Sequence, residues 1–185
     1  MKIVATNIGE PKEVIWGKIK VVTGIFKFPV DAPVFLDTED VKGDTICDRE
    51  NHGGIEQAIY GYSLKHYEYW KPLYLNLDWS LGMFGENLTI DDLDETKIHV
   101  GDTFKVGEAI LEASLQRSPC YKLGIRFNDM KIVKQFWKTT FCGVYFKVLQ
   151  TGFVKVGDEF VQIKNGLENP TIADLLIKNK KEKGL

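Results

Sequence analysis

Leu111-Glu112-Ala113-Ser114-Leu115-Gln116-Arg117-Ser118-Pro119-Cys120 is the stretch that decides how the rest of the chain is read. Its first five residues alternate apolar and polar, the period of a strand with one buried face. Pro119 then ends regular pairing, because it has no N–H to donate and holds Ser118 in extended geometry. Cys120 therefore falls just past a strand end, where working side chains are commonly placed. Arg117, Lys122 and Arg126 lie within six residues of it. Nearby cations favour the thiolate, the form that attacks electrophiles and binds soft metals. A free cysteine is also a common buried hydrophobe, and the residues alone leave both roles open.

Outward from this stretch the chain is mostly β in pattern. Strands are expected over residues 2–6, 58–62 and 143–149, with a glycine-broken β-rich region over 16–26. Residues 28–33 carry two prolines and cannot form a central strand. Val100-Gly101-Asp102-Thr103-Phe104 and Val156-Gly157-Asp158-Glu159-Phe160 share the pattern V-G-D-x-F, with Gly-Asp as a turn signal in each. Many short strands with such turns predict a mainly β fold, a barrel or a sandwich, with a few peripheral helices. Ser63 is placed to cap an aromatic helix running to Trp70 and ending near Pro72. Its Tyr67, Tyr69 and Trp70, with Tyr74 beyond, read as packing residues. Asn128 or Asp129 is expected to cap a helix over 130–138, and a last helix is expected over 170–179. The domain is bounded at 1–165, followed by a short helical tail at 166–185 whose lysine-rich end reads as solvated.

The totals limit the function. The 185 residues suffice for one domain with a proper core. Lys+Arg 24 against Asp+Glu 26 gives a net charge of −2, so no global field draws the protein to nucleic acid or to an anionic membrane. Any anion site must come from a local cluster. No apolar run approaches the roughly 20 residues of a membrane helix, and the amino terminus has no apolar signal core. Cys47, Cys120 and Cys142 are an odd, widely spaced set that fits a reducing cytoplasm better than a disulfide framework. The phosphate-loop, dinucleotide, zinc-protease and C-x-x-C patterns are all missing from the sequence. Gly43-Asp44, Asp48-Arg49 and His52-Gly53-Gly54 form a polar, glycine-rich loop suited to close ligand approach. Asn87, in Gly85-Glu86-Asn87-Leu88-Thr89, offers both a donor and an acceptor.

Taken with Gly24-Ile25-Phe26-Lys27-Phe28-Pro29-Val30, Gly101-Asp102, Lys122-Leu123 and Arg126-Phe127, these motifs resemble, in order, those of the MOSC family. That family is named for the carboxy-terminal domain of molybdenum cofactor sulfurase. More narrowly, the chain resembles its stand-alone YiiM-like members, linked to detoxification of N-hydroxylated purines such as 6-hydroxylaminopurine. The resemblance implies a MOSC-type β-barrel in which Cys120 binds the molybdenum of a pterin cofactor and is the catalytic residue. It places Lys27, Asp44, His52, Asn87, Arg117, Lys122 and Arg126 around the cofactor. It implies no pyridoxal phosphate, because the desulfurase domain that uses it is not in this chain. Gln57 stands where a lysine is expected, which weakens one anion contact. With no flavin or nicotinamide pattern, a reductase of this kind takes its electrons from a separate flavoprotein-type donor. Two other readings remain at this stage, a carrier of the cofactor or its sulfur and a metal-free thiol enzyme with His52 as base.

Overall fold

The structure is a computed structural model that describes residues 1–48 and 53–185. Its strands are β1 (Ile3–Ile8), β2 (Lys12–Trp16), β3 (Ile19–Thr23), β4 (Phe28–Val30), β5 (Val34–Leu36), β6 (Ile59–Ser63), β7 (Leu88–Ile90), β8 (Thr103–Val106), β9 (Ala109–Gln116), β10 (Val144–Gln150), β11 (Gly152–Val154) and β12 (Val161–Lys164). Eight of them form one sheet in the order β12-β8-β9-β10-β6-β7-β1-β4. Only the β6–β7 pair in this sheet is parallel. β2–β3 and β5–β11 are separate antiparallel pairs.

The expected closed barrel is not what the described residues form. The ladder is open, with β12 and β4 as its edges. It nevertheless curls, because the segment leading into β12 bonds to the start of β1. Ile3 N–H donates to the Asp158 carbonyl at 2.9 Å, and Phe160 N–H donates to the Met1 carbonyl at 2.9 Å. Pro29 sits on the edge strand β4 opposite Asn7, a position where its missing N–H costs no ladder bond. The V-G-D-x-F echo is a shared turn. Asp102 accepts the His99 N–H and Asp158 the Lys155 N–H, each three residues back and each at 2.9 Å.

Helices cover the sheet at α1 (Leu64–Trp70), α2 (Tyr121–Phe127), α3 (Lys131–Phe136) and α4 (Ile172–Glu182). Ser63 does precede α1, but its hydroxyl caps nothing and is buried without a partner. Asn128 does not start α3. It ends α2 in the left-handed region at φ 49°, a conformation that asparagine tolerates better than most residues. Asp129 accepts the Lys131 N–H at 2.8 Å, so it supports the start of α3 from one residue further out than a cap. α4 has a capping box between Thr171 and Asp174 and inserts Ile172 and Leu176 into the core. The aromatics packed beneath α1 include Tyr62 stacked on Phe84 at 4.3 Å and Trp70 Nε1–H donating to Tyr62 at 2.9 Å. Tyr67 and Trp70 are buried there as expected, whereas Tyr69 is half exposed. No helix among the described residues is long and apolar enough to cross a membrane.

The turn between α1 and β7 is built on Glu86, which is fully buried. Its carboxylate accepts from Gly82 N–H at 3.0 Å, Phe84 N–H at 3.1 Å, Thr89 Oγ at 2.9 Å and the Tyr67 hydroxyl. Burial pushes the carboxyl's pKa up, while these donors pull the other way. Gly82 has φ 83°, and a Cβ there would lie 2.6 Å from the Lys27 carbonyl oxygen, so this turn requires glycine. Replacing Glu86 by alanine strands four buried donors, and we expect a loss of roughly 3–5 kcal/mol in urea unfolding. Glu86→Gln, which keeps one acceptor oxygen, should lose less. A Glu86→Ala loss under about 1 kcal/mol would mean that the donors find other partners.

Candidate functional site

At the centre of the sheet, β9, β10 and β6 end side by side. Tyr145 on β10 lies opposite Tyr60 on β6 and opposite Leu115 on β9. The two tyrosine rings are a cross-strand pair with centroids 5.1 Å apart. Arg117 follows β9 directly, its guanidinium 5.1 Å over the Tyr60 ring and 5.6 Å over the Phe136 ring. Pro119 then turns the chain, and half-buried Cys120 stands immediately before α2. These residues floor a cleft of about 120 Å³. Its walls are the loops around residues 23–27 and 44–48, with Gln57 and Asn87 at its side. The two loops can meet because residue 24 is glycine: a Cβ there would lie 2.0 Å from the Thr45 carbonyl oxygen.

Asp44 ties this arrangement together. It accepts from Gly9 N–H at 2.8 Å, from Asn87 Nδ2 at 2.9 Å and from the Lys27 ammonium. Burial lowers the Lys27 pKa, and Asp44 beside it opposes that shift. Asn87 is engaged at its other end too, its Oδ1 accepting the Tyr60 N–H at 3.2 Å. Lys122 pairs with Asp48 at 3.2 Å. Two of the expected cations are therefore matched by carboxylates of the chain itself. Arg117 differs. It is 7% exposed, and its Nη1 is buried with no hydrogen-bond partner among the described residues.

The cleft thus brings together Lys27, Asp44, Asn87, Arg117, Cys120 and Lys122 of the expected set. Arg126 does not line it. Its guanidinium lies over Phe26 at 5.1 Å and Phe28 at 4.9 Å and donates to Ser80 Oγ at 3.2 Å. Burial lowers its pKa. His52 lies outside the described residues, as does Arg49. Sequence reasoning missed Tyr60 and Tyr145 as site residues. The signal was present, since both fall in strands that were recognised, but only the β6–β10 register puts them on one face. None of the three cysteines is in a disulfide, and Cys47 also lines the cleft. Cys142 is wholly buried, which pushes its thiol pKa well up. Among the described residues no group of three or more His, Cys, Asp or Glu could hold a metal.

The chain is similar in sequence and fold to known proteins. The MOSC domain family matches residues 48–161. Protein YflK of Bacillus subtilis is 35% identical over 164 residues, covering 89% of this chain and 74% of YflK. A protein named reductase from Gibberella moniliformis is 34% identical over 143 residues, which are 75% of this chain but only 25% of that protein. The crystal structure of YiiM from Geobacillus stearothermophilus superposes with a TM-score of 0.80 at 30% identity, covering 100% of this chain and 86% of that one. With the family matched across the cleft-forming strands, and with such relatives over most of its length, this chain belongs to the MOSC domain family.

Proposed function

We propose that this protein holds a molybdenum–pterin cofactor through the Cys120 thiolate and reduces small N-hydroxylated bases or amines to the amines. Electrons come from a separate flavoprotein-type donor. One observation carries the reading: Cys120 shares a cleft with Arg117, whose buried Nη1 has no hydrogen-bond partner among the described residues. A thiolate is a soft metal ligand, and an unengaged guanidinium N–H is a phosphate donor. The absence of a multi-residue ligand cluster among the described residues suits a metal that brings its other ligands with it. When bound, the cofactor supplies two-electron chemistry that removes oxygen from the substrate.

The chain's own residues bind and orient. Cys120 ligates the metal, and Arg117 takes the cofactor's anionic end. Asp44 fixes Lys27 and Asn87, so these two position the wall more than they neutralise the ligand. The Lys122–Asp48 pair flanks the opening. Of the cations that the resemblance places around the cofactor, Arg117 is the one this reading gives the anion contact. Family membership supports the cofactor, and the name of the Gibberella moniliformis relative, reductase, supports the reaction class. Nothing in the composition points to nucleic acid or membrane partners.

Loading the protein in a host that makes the cofactor, then measuring molybdenum, pterin and turnover of 6-hydroxylaminopurine, tests the reading. Cys120→Ser keeps the volume but offers a harder ligand. Its molybdenum should fall to a trace and its turnover, with a flavoprotein reductase or a low-potential dye, to background. Cys142→Ala serves as the control and should stay active. A Cys120→Ser protein with normal metal and turnover overturns the assignment, and a loaded wild type that never turns over favours a carrier. Arg117→Ala should weaken pterin retention about ten- to hundredfold, the worth of one charge-assisted hydrogen bond. Arg117→Lys should retain part of it. Pterin content unchanged in Arg117→Ala would mean that the anion sits elsewhere.

A further inference from the structure

Two phenols face the cleft, and they differ in what they hold. The Tyr60 hydroxyl donates to the Cys142 carbonyl at 2.8 Å, so it is fixed in the fold. Tyr145 has its backbone carbonyl bonded by Ser114 Oγ at 2.9 Å, and its half-buried side chain lines the cleft with no hydrogen bond from its hydroxyl to another described residue. The ring is held rigidly: it packs on Tyr60 and sits in register between β6 and β9. Arg117 and Cys120 both act on it electrostatically. A rigid donor beside this thiol, bonded by none of the described residues, adds little to the fold beyond the packing of its ring. It is a good recognition device, because a preorganised donor loses little freedom on binding.

We infer that the Tyr145 hydroxyl is a substrate-binding group that donates a hydrogen bond to the N–O oxygen of the substrate above Cys120. This inference rests on the reductive reading given above and adds to it the feature by which the cleft tells an N-hydroxylated base from the oxygen-free amine. The amine product lacks the acceptor, so the same contact favours its release.

Tyr145→Phe removes the donor and leaves the ring packing in place. The test uses cofactor-loaded protein, first unreduced, with Kd measured for 6-hydroxylaminopurine and for adenine. Wild type should prefer the hydroxylamino base, and Tyr145→Phe should lose roughly three- to tenfold of that preference. Molybdenum content should be unchanged and Tm should stay within about 2 °C, because the hydroxyl bonds none of the described residues. Under reducing conditions kcat/KM for the hydroxylamino base should fall by at least the same factor, while Tyr69→Phe, on the exposed side of α1, stays at the wild-type value. A wild type without preference, or a Tyr145→Phe variant that keeps both preference and rate, overturns the inference. The two readings fail differently. A wild type that prefers the hydroxylamino base but never turns it over sinks the reductase assignment and leaves the Tyr145 contact standing. Normal turnover with an indifferent Tyr145→Phe variant does the reverse.

Discussion

The Asp44 carboxylate is the contact on which the cleft depends. It joins three parts of the chain that are remote in sequence: the end of β1 through Gly9, the loop before β4 through Lys27, and the turn before β7 through Asn87. Asn87 carries the connection into the sheet, since it also bonds the Tyr60 backbone at both its side chain and its N–H. An ion pair of this burial gives little net stability relative to an apolar pair. Removing one partner, however, leaves a charge uncompensated and typically costs about 3–5 kcal/mol. The pair is therefore a constraint on shape. It fixes how far the loop walls stand from the floor made by Arg117, Cys120 and Tyr145.

The same pairing decides the electrostatics of the site. Counting cations in the sequence gives a basic cleft, but Lys27 and Lys122 each face an aspartate at the cleft. What remains is directional. Arg117 lies over two aromatic rings that leave its Nη1 unengaged, and a guanidinium so placed binds an anion through a fixed N–H. This suits a bulky cofactor whose phosphate must lie at one place. A diffuse positive field would serve a polyanion such as nucleic acid, and the net charge of −2 provides none.

Much of the fold was legible because it rests on local pattern. The alternation in residues 111–115 gives β9, whose buried and half-buried positions alternate from Ala109 to Ala113; the pattern breaks at Ser114, which is also buried, and Leu115 is only half-buried. The two prolines of 28–33 rule out a central strand, and β4 lies on the sheet edge. Closure into a barrel was not legible, since it depends on whether the two edges find each other, and no residue pattern encodes that. Asn128 was misread for a related reason. The same side chain caps a helix start or ends a helix in the left-handed region, and only its φ of 49° decides. The cations and the proline around Cys120 leave its role open, and it is the resemblance that singles it out; the structure puts it in the lining of the cleft.

Tyr60 and Tyr145 escaped the reading because neither is unusual where it stands. Each is an aromatic residue in a β-rich segment, which propensity alone explains. Their meaning arises from register. β6 and β10 pair so that the two rings share one face, and β9 pairs on the other side of β10 so that Arg117 and Cys120 arrive beside them. A one-residue slip in either ladder would turn Tyr145 to the opposite face. The irregularity that follows Tyr145 in the β9–β10 ladder, between Tyr145 and Phe146, marks where the pairing changes step. On the far side of that step Phe146 points into the core with Phe104 and Phe160. The strand thus seats an apolar side chain in the core and leaves the residue before it on the cleft face, with its hydroxyl unengaged.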